Sequence, residues 1–170
     1  PYWDGAIEAI WVDEQYGGMR SFRSPPWLID DLGGASPSVM FGIVYTALFS
    51  ACCLIVGIFP KMFALIGMIL LNNIAWHNGH AGGGHDDLIA NALWILVFAD
   101  STATLSLSCK WKYGTWTSSR EVPSWPRYIA LLQLLLMYTS TGWQKLSVHW
   151  IPFGELSALW YILQQPTWAR

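Results

Sequence analysis

Four apolar stretches separated by polar segments dominate the hydrophobic pattern of this chain. They cover residues 39–59, 62–76, 88–99 and 128–143. The first carries no charged side chain and reaches the length of about 20 residues that a helix needs to cross the hydrocarbon core of a bilayer. Apolar runs of this kind, separated by short polar loops, predict an all-α fold. We expect a polytopic helical membrane bundle with about four transmembrane helices and additional interfacial helices.

Turn and capping residues set the expected ends of these helices. Ser36 and Pro37 form a favourable start for the first helix, and Pro60 predicts a tight turn before the second. A short connection makes these two helices antiparallel neighbours, so they should form a hairpin. Asp86 and Asp87 precede the third apolar stretch, where the dipole of a helix N-terminus would stabilise both carboxylates.

The regions outside these stretches predict a division into two parts. Residues 1–37 are mixed and acidic, with glycine and proline pairs that mark turns, and we expect a membrane-surface segment with a short helix over residues 4–12. Residues 38–170 form the expected membrane domain, in which the segment 149–168 lies at the interface or dips into the bundle. Because Pro1 is not an initiator methionine and the chain ends just after an apolar segment, we expect it to be part of a longer protein.

Composition supports a bilayer environment and excludes one class of partner. Only 12% of the residues are charged, about half the share of roughly 25% that is typical of soluble domains. Twelve tryptophans and seven tyrosines suit the aromatic belts at the two faces of a membrane. A formal net charge of −2 offers no basic face for nucleic acid. Cys52, Cys53 and Cys109 form no zinc or redox motif and are expected to be buried small apolar residues.

An even number of spans places the two most polar candidates for a site, His85 and Lys145, on the same side of the membrane. The opposite side holds five of the nine lysine and arginine residues. These five are Lys61, Lys110, Lys112, Arg120 and Arg127. Because positively charged loops are retained in the cytoplasm, this pattern favours a cytoplasmic position for the basic side.

Lys145 is the first candidate for chemistry. It follows the apolar run 128–137 and a polar stretch from Tyr138 to Thr141, at the margin of the predicted fourth span. Desolvation disfavours a charged ammonium, so a lysine at the edge of an apolar bundle can act as a base near neutral pH. The alternative is an interfacial anchor whose ammonium reaches the lipid headgroups. Hydroxyl groups one turn away from the lysine favour a wet pocket.

His85 is the second candidate, and it lies in the glycine-rich loop between the second and third spans. The acids that follow it can orient its imidazole and fix the tautomer. His77, His80 and His85 together form the pattern H-x2-H-x4-H, which matches no standard zinc motif. We therefore expect no metal, and a metal set of these three histidines is the weaker alternative.

Asp100 ends the third apolar stretch beside Ser101 and Thr102. A carboxylate embedded at a membrane margin needs a partner. Lys110 and Lys112 follow within a short loop and could reach it. We expect an ion pair at the helix end between Asp100 and one of these two lysines.

Two segments of the chain resemble the HTTM domain, the membrane domain shared with vitamin K-dependent gamma-glutamyl carboxylase. Residues 145–150 read KLSVHW and follow Tyr138 and Gly142, similar to the tyrosine, small residue and K-L-x-x-x-W of that family. Residues 76–100 resemble the family's Asn/His-rich loop, apolar helix and terminal aspartate. Asp100 follows His85 by fifteen positions, the same interval that separates the histidine and the aspartate in the carboxylase. The resemblance extends over most of the chain, from about residue 37 onward.

The resemblance implies quinol-dependent carboxylation or a related proton abstraction. Lys145 would match the base that deprotonates a vitamin K-like hydroquinone, and His85 would match the histidine that assists at the carbanion step. Tyr138, Trp143 and Trp150 would then bind the reduced quinone. The implied location is a membrane, and we expect the bacterial inner (plasma) membrane.

The chain also departs from the carboxylase pattern. Three glycines precede His85 and two acids follow it, and Ser147 and His149 stand where the carboxylase has acidic residues. The alternative function is a non-catalytic subunit of a larger membrane complex, in which tryptophans pack against partner subunits and Lys145 contacts a headgroup or a neighbour's acid. A metal oxidoreductase that uses the three histidines is the third hypothesis.

Overall fold

The structure is a computed structural model that describes residues 5–18, 24–78, 83–146, 148–150 and 157–164. All regular elements in these residues are helices and no strand forms among them, so the all-α class is confirmed. The α-helices are α1 Ala6–Trp11, α2 Trp27–Asp31, α3 Pro37–Val56, α4 Pro60–His77, α5 Gly84–Phe98, α6 Leu107–Tyr113, α7 Trp125–Gln144 and α8 Ala158–Leu163. Short 3-10 helices cover Glu14–Tyr16 and Val148–Trp150.

The first of two compact units, Pro1–Pro126, is built around three helices. α4 packs along both α3 and α5. Ala64 and Met68 of α4 are buried together with Leu93 of α5, which gives this helix pair its own apolar core. Because a short turn joins α3 to α4, the two helices run antiparallel, and the predicted hairpin is confirmed.

The turn between α3 and α4 is fixed by unusual backbone angles and by one distant serine. Gly57 ends α3 with a φ of 73°, and a Cβ at this position would lie 2.4 Å from the Cβ of Ser106. Phe59 also has a positive φ, of 40°. The Oγ of Ser108 in α6 donates to the Gly57 carbonyl over 2.7 Å and accepts from the Phe59 amide over 3.3 Å. These contacts attach α6 to the turn.

The N-terminal segment takes part in the core of the first unit. Ile7 and Ile29 are buried together with Met40 of α3. Asn78, which follows the end of α4, donates from Nδ2 to the carbonyl of Ile10 over 2.6 Å. The short helix expected near the N-terminus is confirmed as α1, while the position of this segment at a membrane surface and the domain boundary at residue 37 stay predictions.

The second unit, Arg127–Arg170, contains most of α7 together with α8. No residue of α7 is buried. Its exposed leucines are Leu131, Leu132, Leu134, Leu135 and Leu136. An apolar helix with exposed leucines on several faces needs lipid or packed helices to cover it.

One described helix, α3, is both long and apolar enough to cross a membrane. α5 has 15 residues and a length of about 22 Å, which falls short of a hydrocarbon core of about 30 Å. Asn72 and Asn73 reduce the hydropathy of α4, and the polar residues at the end of α7 have the same effect there. The count of four spans therefore stays a prediction.

The cysteines differ in their surroundings. Cys53 and Cys109 are buried, as expected, whereas Cys52 is exposed. The expectation is wrong for Cys52 because adjacent residues of a helix point about 100° apart. Two neighbouring side chains therefore cannot both face the same part of the bundle.

Candidate functional site

Lys145 lies just beyond the C-terminal end of α7. Its backbone amide donates to the carbonyls of Thr141 and Gly142 over 3.2 and 3.1 Å, which closes the last turn of the helix. The side chain is exposed. Its Nζ lies 5.8 Å from the centroid of the Trp150 ring, near the outer limit of a cation–π contact. The predicted base is thus placed beside an aromatic ring at a helix end.

His149 lies next to Trp150 in the 3-10 helix that follows Lys145. Its Nδ1 is 3.0 Å from the Oγ of Ser157. Its ring packs edge-on against Tyr161 of α8, with 5.8 Å between the centroids. The residues that meet here are named the C-terminal aromatic cluster: Lys145, His149, Trp150, Ser157 and Tyr161. The cluster thus consists of the Lys145–Trp150 pair and of His149 with its partners Ser157 and Tyr161, joined because His149 and Trp150 are consecutive residues.

The remaining residues expected to bind a quinone lie on different sides of α7. Tyr138 precedes Lys145 by close to two helical turns and so lies on the same side. Trp143 is about 200° away around the helix axis. Both side chains are largely exposed, Tyr138 at 70% and Trp143 at 76%. Of the three expected residues, Trp150 contacts Lys145, Tyr138 shares its side, and Trp143 lies on the other side.

His85 is the second residue of α5 and belongs to the first unit. Its side chain is 72% exposed, and its Nε2 lies 3.5 Å from Oδ1 of Asp86. The Oδ2 of Asp86 accepts from the backbone amide of Gly83 over 2.7 Å, which caps the start of the helix. The ring of His85 folds back over Gly83, where a Cβ would lie 2.8 Å from its Nδ1. One carboxylate therefore both caps α5 and contacts the imidazole.

The three histidines of the metal alternative are not assembled by the described part of the chain. His77 ends α4 and is 2% exposed, with its Nε2 3.9 Å from Oδ1 of Asp13. It thereby joins the end of α4 to the N-terminal segment. His80 lies outside the described residues. Within those residues, no group of three or more His, Cys, Asp or Glu side chains is arranged to hold a metal ion, so the metal hypothesis gains no support from them.

Asp100 has a different partner from the expected one. Its Oδ2 lies 2.5 Å from Nη2 of Arg120, and its Oδ1 accepts from Oγ1 of Thr102 over 2.8 Å. The Thr102 hydrogen bond and the Arg120 charge hold the pKa of Asp100 below its usual value, although burial acts in the opposite direction. The ion pair expected at this helix end is present, but with arginine instead of lysine.

The predicted lysine partners of Asp100 instead lie over aromatic rings. Lys110 places its Nζ 4.5 Å from the centroid of Trp116, and Lys112 places its Nζ 5.4 Å from that of Tyr113. A β-bridge pairs Thr104 with Thr117 and returns the chain toward the end of α5. The expected pairing is wrong because this return brings Arg120 to the carboxylate, a contact that distance along the sequence does not reveal.

The sequence did not lead us to expect a cavity of 370 Å³ beside α4. It is lined by Pro25, Pro26, Trp27, Asn72, Asn73 and Trp76. Asn73 is 4% exposed and donates from Nδ2 to the Ile69 carbonyl over 2.7 Å. Its Oδ1 has no hydrogen-bond partner in the described structure. Two asparagines inside an apolar run are the sequence signal that could have found it, since polar groups within a span are costly without a role.

A comparison with known families places these observations in context. The model of the HTTM domain matches residues 4–166, a range that includes His85, the C-terminal aromatic cluster and the α3–α4 hairpin. No curated protein and no solved structure matches the chain. HTTM domains are membrane-associated, and the match suggests a relation to vitamin K-dependent carboxylase-like membrane proteins. The expected family is therefore confirmed, and the chain belongs to the HTTM domain family.

Proposed function

We propose that this chain is an integral protein of the bacterial inner membrane that carries out quinol-dependent carboxylation or a related proton abstraction, with Lys145 as the base. The observation that carries the proposal is the position of Lys145. It lies at the end of an apolar helix, beside the ring of Trp150, in the segment that resembles the family's lysine motif.

The C-terminal aromatic cluster fits the chemistry of a reduced quinone. Such a molecule has a flat ring and phenolic hydroxyl groups, which suit aromatic neighbours and an amine that accepts a proton. Trp150 would provide a ring surface, and Tyr138 lies on the same side of α7 as the lysine. When bound, the reduced quinone would supply the electrons that reduce oxygen and so drive removal of a carbon-bound proton.

The residues of the cluster divide the remaining tasks. Lys145 would take a proton at Nζ, and lipid around the apolar α7 would limit access of water to that amine. His149 is oriented by its contact with Ser157 and by the Tyr161 ring, so it could exchange a proton with its surroundings. In the first unit, the proposed role of His85 is to organise the carbanion step, with Asp86 orienting its imidazole.

The test is quinol-dependent oxygen uptake by the purified full chain in lipid nanodiscs. Vitamin K hydroquinone and menaquinol serve as probes, and incorporation of labelled bicarbonate is the second readout. Lys145→Ala should lower the rate at least about 100-fold, the usual size of a general-base contribution. Lys145→Arg should be equally impaired, because a guanidinium keeps the positive charge and the ring contact but stays protonated.

The arginine variant separates a base from an anchor. If Lys145→Arg retains the wild-type rate while Lys145→Ala loses it, the lysine acts as a cation and the proposal is wrong. Absence of quinol-dependent uptake by the wild-type chain with both probes would also overturn it. Thermal unfolding of each variant in the same nanodiscs shows whether a lost rate reflects a lost fold.

One observation favours the second candidate function, a non-catalytic subunit of a larger membrane complex. No residue of α7 is buried, and the helices of partner subunits would cover its leucines in such a complex. In a structural subunit, α7 would be a contact surface and Lys145 would pair with a neighbour's acid. Stoichiometric partners that co-purify with the Lys145→Ala variant as well as with wild type, together with no quinol-dependent uptake, would support this function.

A further inference from the structure

A cavity of 580 Å³ lies beside the turn between α3 and α4, far along the chain from both His85 and Lys145. Its walls come from this turn, the start of α4, and α6. Its lining includes Phe59, Lys61, Ser108, Trp111 and Lys112. The proposed function assigns no role to this site, which is named the basic cavity.

Among the described residues, neither lysine of the basic cavity has a salt-bridge partner. These two lysines are Lys61 and Lys112. Asp100 interacts electrostatically with Lys61, but its ion pair is with Arg120. The cavity therefore presents two positive charges that an anionic ligand would neutralise.

Exposed aromatic side chains also line the basic cavity. Phe59 and Trp111 are 62% and 63% exposed. Phe59 is held in place by its left-handed backbone conformation and by Ser108. Exposed aromatic rings next to lysines are typical of residues at the level of lipid headgroups. A small water-soluble anion would leave these rings uncovered, whereas the glycerol and first acyl carbons of a lipid would contact them.

The position of the cavity agrees with this chemistry. It lies on the side of the bundle that carries Lys61, Lys110, Lys112 and Arg120, which the positive-inside rule assigns to the cytoplasm. Anionic phospholipids are concentrated in the cytoplasmic leaflet, and basic side chains near that surface attract them. We propose that the basic cavity binds the phosphate headgroup of an anionic phospholipid, with Lys61 and Lys112 on the phosphate and with Phe59 and Trp111 against the glycerol backbone.

The experiment titrates the full chain in neutral detergent micelles with dioctanoyl phosphatidylglycerol and counts bound lipid by native mass spectrometry. Dioctanoyl phosphatidylcholine and glycerol phosphate are titrated in parallel. Phosphatidylglycerol should bind about tenfold more tightly than phosphatidylcholine, a difference of about 1.4 kcal/mol. The double variant Lys61→Gln/Lys112→Gln should lose that preference, and higher salt should weaken binding to wild type.

Lys110→Gln is the matched control, because this lysine lies over Trp116 and does not line the cavity. It should bind phosphatidylglycerol as wild type does. Equal binding of glycerol phosphate and phosphatidylglycerol would assign the site to a soluble anion and overturn the lipid proposal. Retention of the preference by the double variant, or an equal loss in Lys110→Gln, would overturn it as well.

Two further measurements keep the result independent of folding and of the proposed activity. Thermal unfolding in phosphatidylcholine micelles tests whether the double variant is folded. If it is not, the single variant Lys112→Gln, at an exposed position of α6, should show about a threefold weaker binding. Oxygen uptake with a quinol does not enter this test, so loss of the catalytic proposal leaves the lipid proposal standing, and the reverse also holds.

Discussion

The ring of His85 lies where a side chain at residue 83 would otherwise be. The imidazole folds back over Gly83 and faces Asp86, whose carboxylate also receives the Gly83 amide. The glycine run before this histidine thus has a local structural purpose, since it leaves room for the ring beside the first turn of α5. The position and orientation of the His85 ring therefore depend on a glycine, and not an alanine, at residue 83.

Gly83→Ala should displace the His85 ring while leaving the fold intact. The new Cβ would lie 2.8 Å from two ring atoms, and an imidazole can rotate away at little cost because it is exposed. The measurement is the NMR spectrum of isotope-labelled histidine, in which the His85 signals should shift. Gly84→Ala is the control, because a Cβ there meets no atom within 4 Å. Equal shifts in both variants would contradict this account.

At the residue scale, the sequence predicted which side chains need partners better than it predicted which partners they have. Asp100 was expected to form an ion pair, and it does. The partner was wrong because a β-bridge of the following loop brings back Arg120, and this bridge leaves no periodic signal. The contact between Lys145 and Trp150 was likewise not predictable from their spacing in the sequence. The role of Lys145 as a base stays a prediction.

At the scale of elements, the connection between α3 and α4 is constrained by both its backbone angles and its contacts with α6. Gly57 must adopt a positive φ and must also let Ser106 approach closely. Pro60 correctly predicted the turn. The close approach of α6 could not be predicted, because it joins residues about fifty positions apart.

Gly57→Ala should lower the free energy of unfolding by roughly 2 kcal/mol. A left-handed backbone costs a residue with a Cβ roughly 1–2 kcal/mol, and the added Cβ would also press on the Cβ of Ser106 at 2.4 Å. Unfolding by titrated denaturing detergent measures the change. Gly42→Ala, inside α3 with open space around its Cβ, should be neutral or stabilising by up to about 1 kcal/mol. A neutral Gly57→Ala would show that the turn can open without cost.

At the scale of the whole molecule, the amino-acid composition was enough to predict a membrane protein. The lengths of the helices are not enough to give the number of transmembrane spans. The low share of charged residues and the abundance of tryptophan agree with an HTTM domain. Only α3 among the described helices meets the length and hydropathy of a span by itself. The others are shorter or carry polar residues, so their crossing depends on neighbouring helices as well as on their own sequence.

Four crossings predict that the start of α5 and the end of α7 face the same compartment. A membrane-impermeant maleimide can show on which side of the membrane each position lies. The positions are replaced one at a time by cysteine, in a background without native cysteines, at Asp87, Gln144 and Ser119. Asp87→Cys and Gln144→Cys should react from one side of sealed vesicles, and Ser119→Cys from the other. Reaction of Gln144→Cys together with Ser119→Cys would mean that α7 does not cross. Detergent-opened vesicles, in which all three should react, are the control.

The link between Ser108 and the α3–α4 turn has a consequence for biosynthesis. The ribosome completes Gly57 and Phe59 about fifty residues before it reaches the serine that binds them. At a synthesis rate of roughly 5–20 residues per second, several seconds separate the two events. During this interval the turn lacks the serine contacts that hold it in the finished protein. The turn therefore gains these two hydrogen bonds only after α6 has been synthesised, so its final conformation is a late step in the folding of the nascent chain.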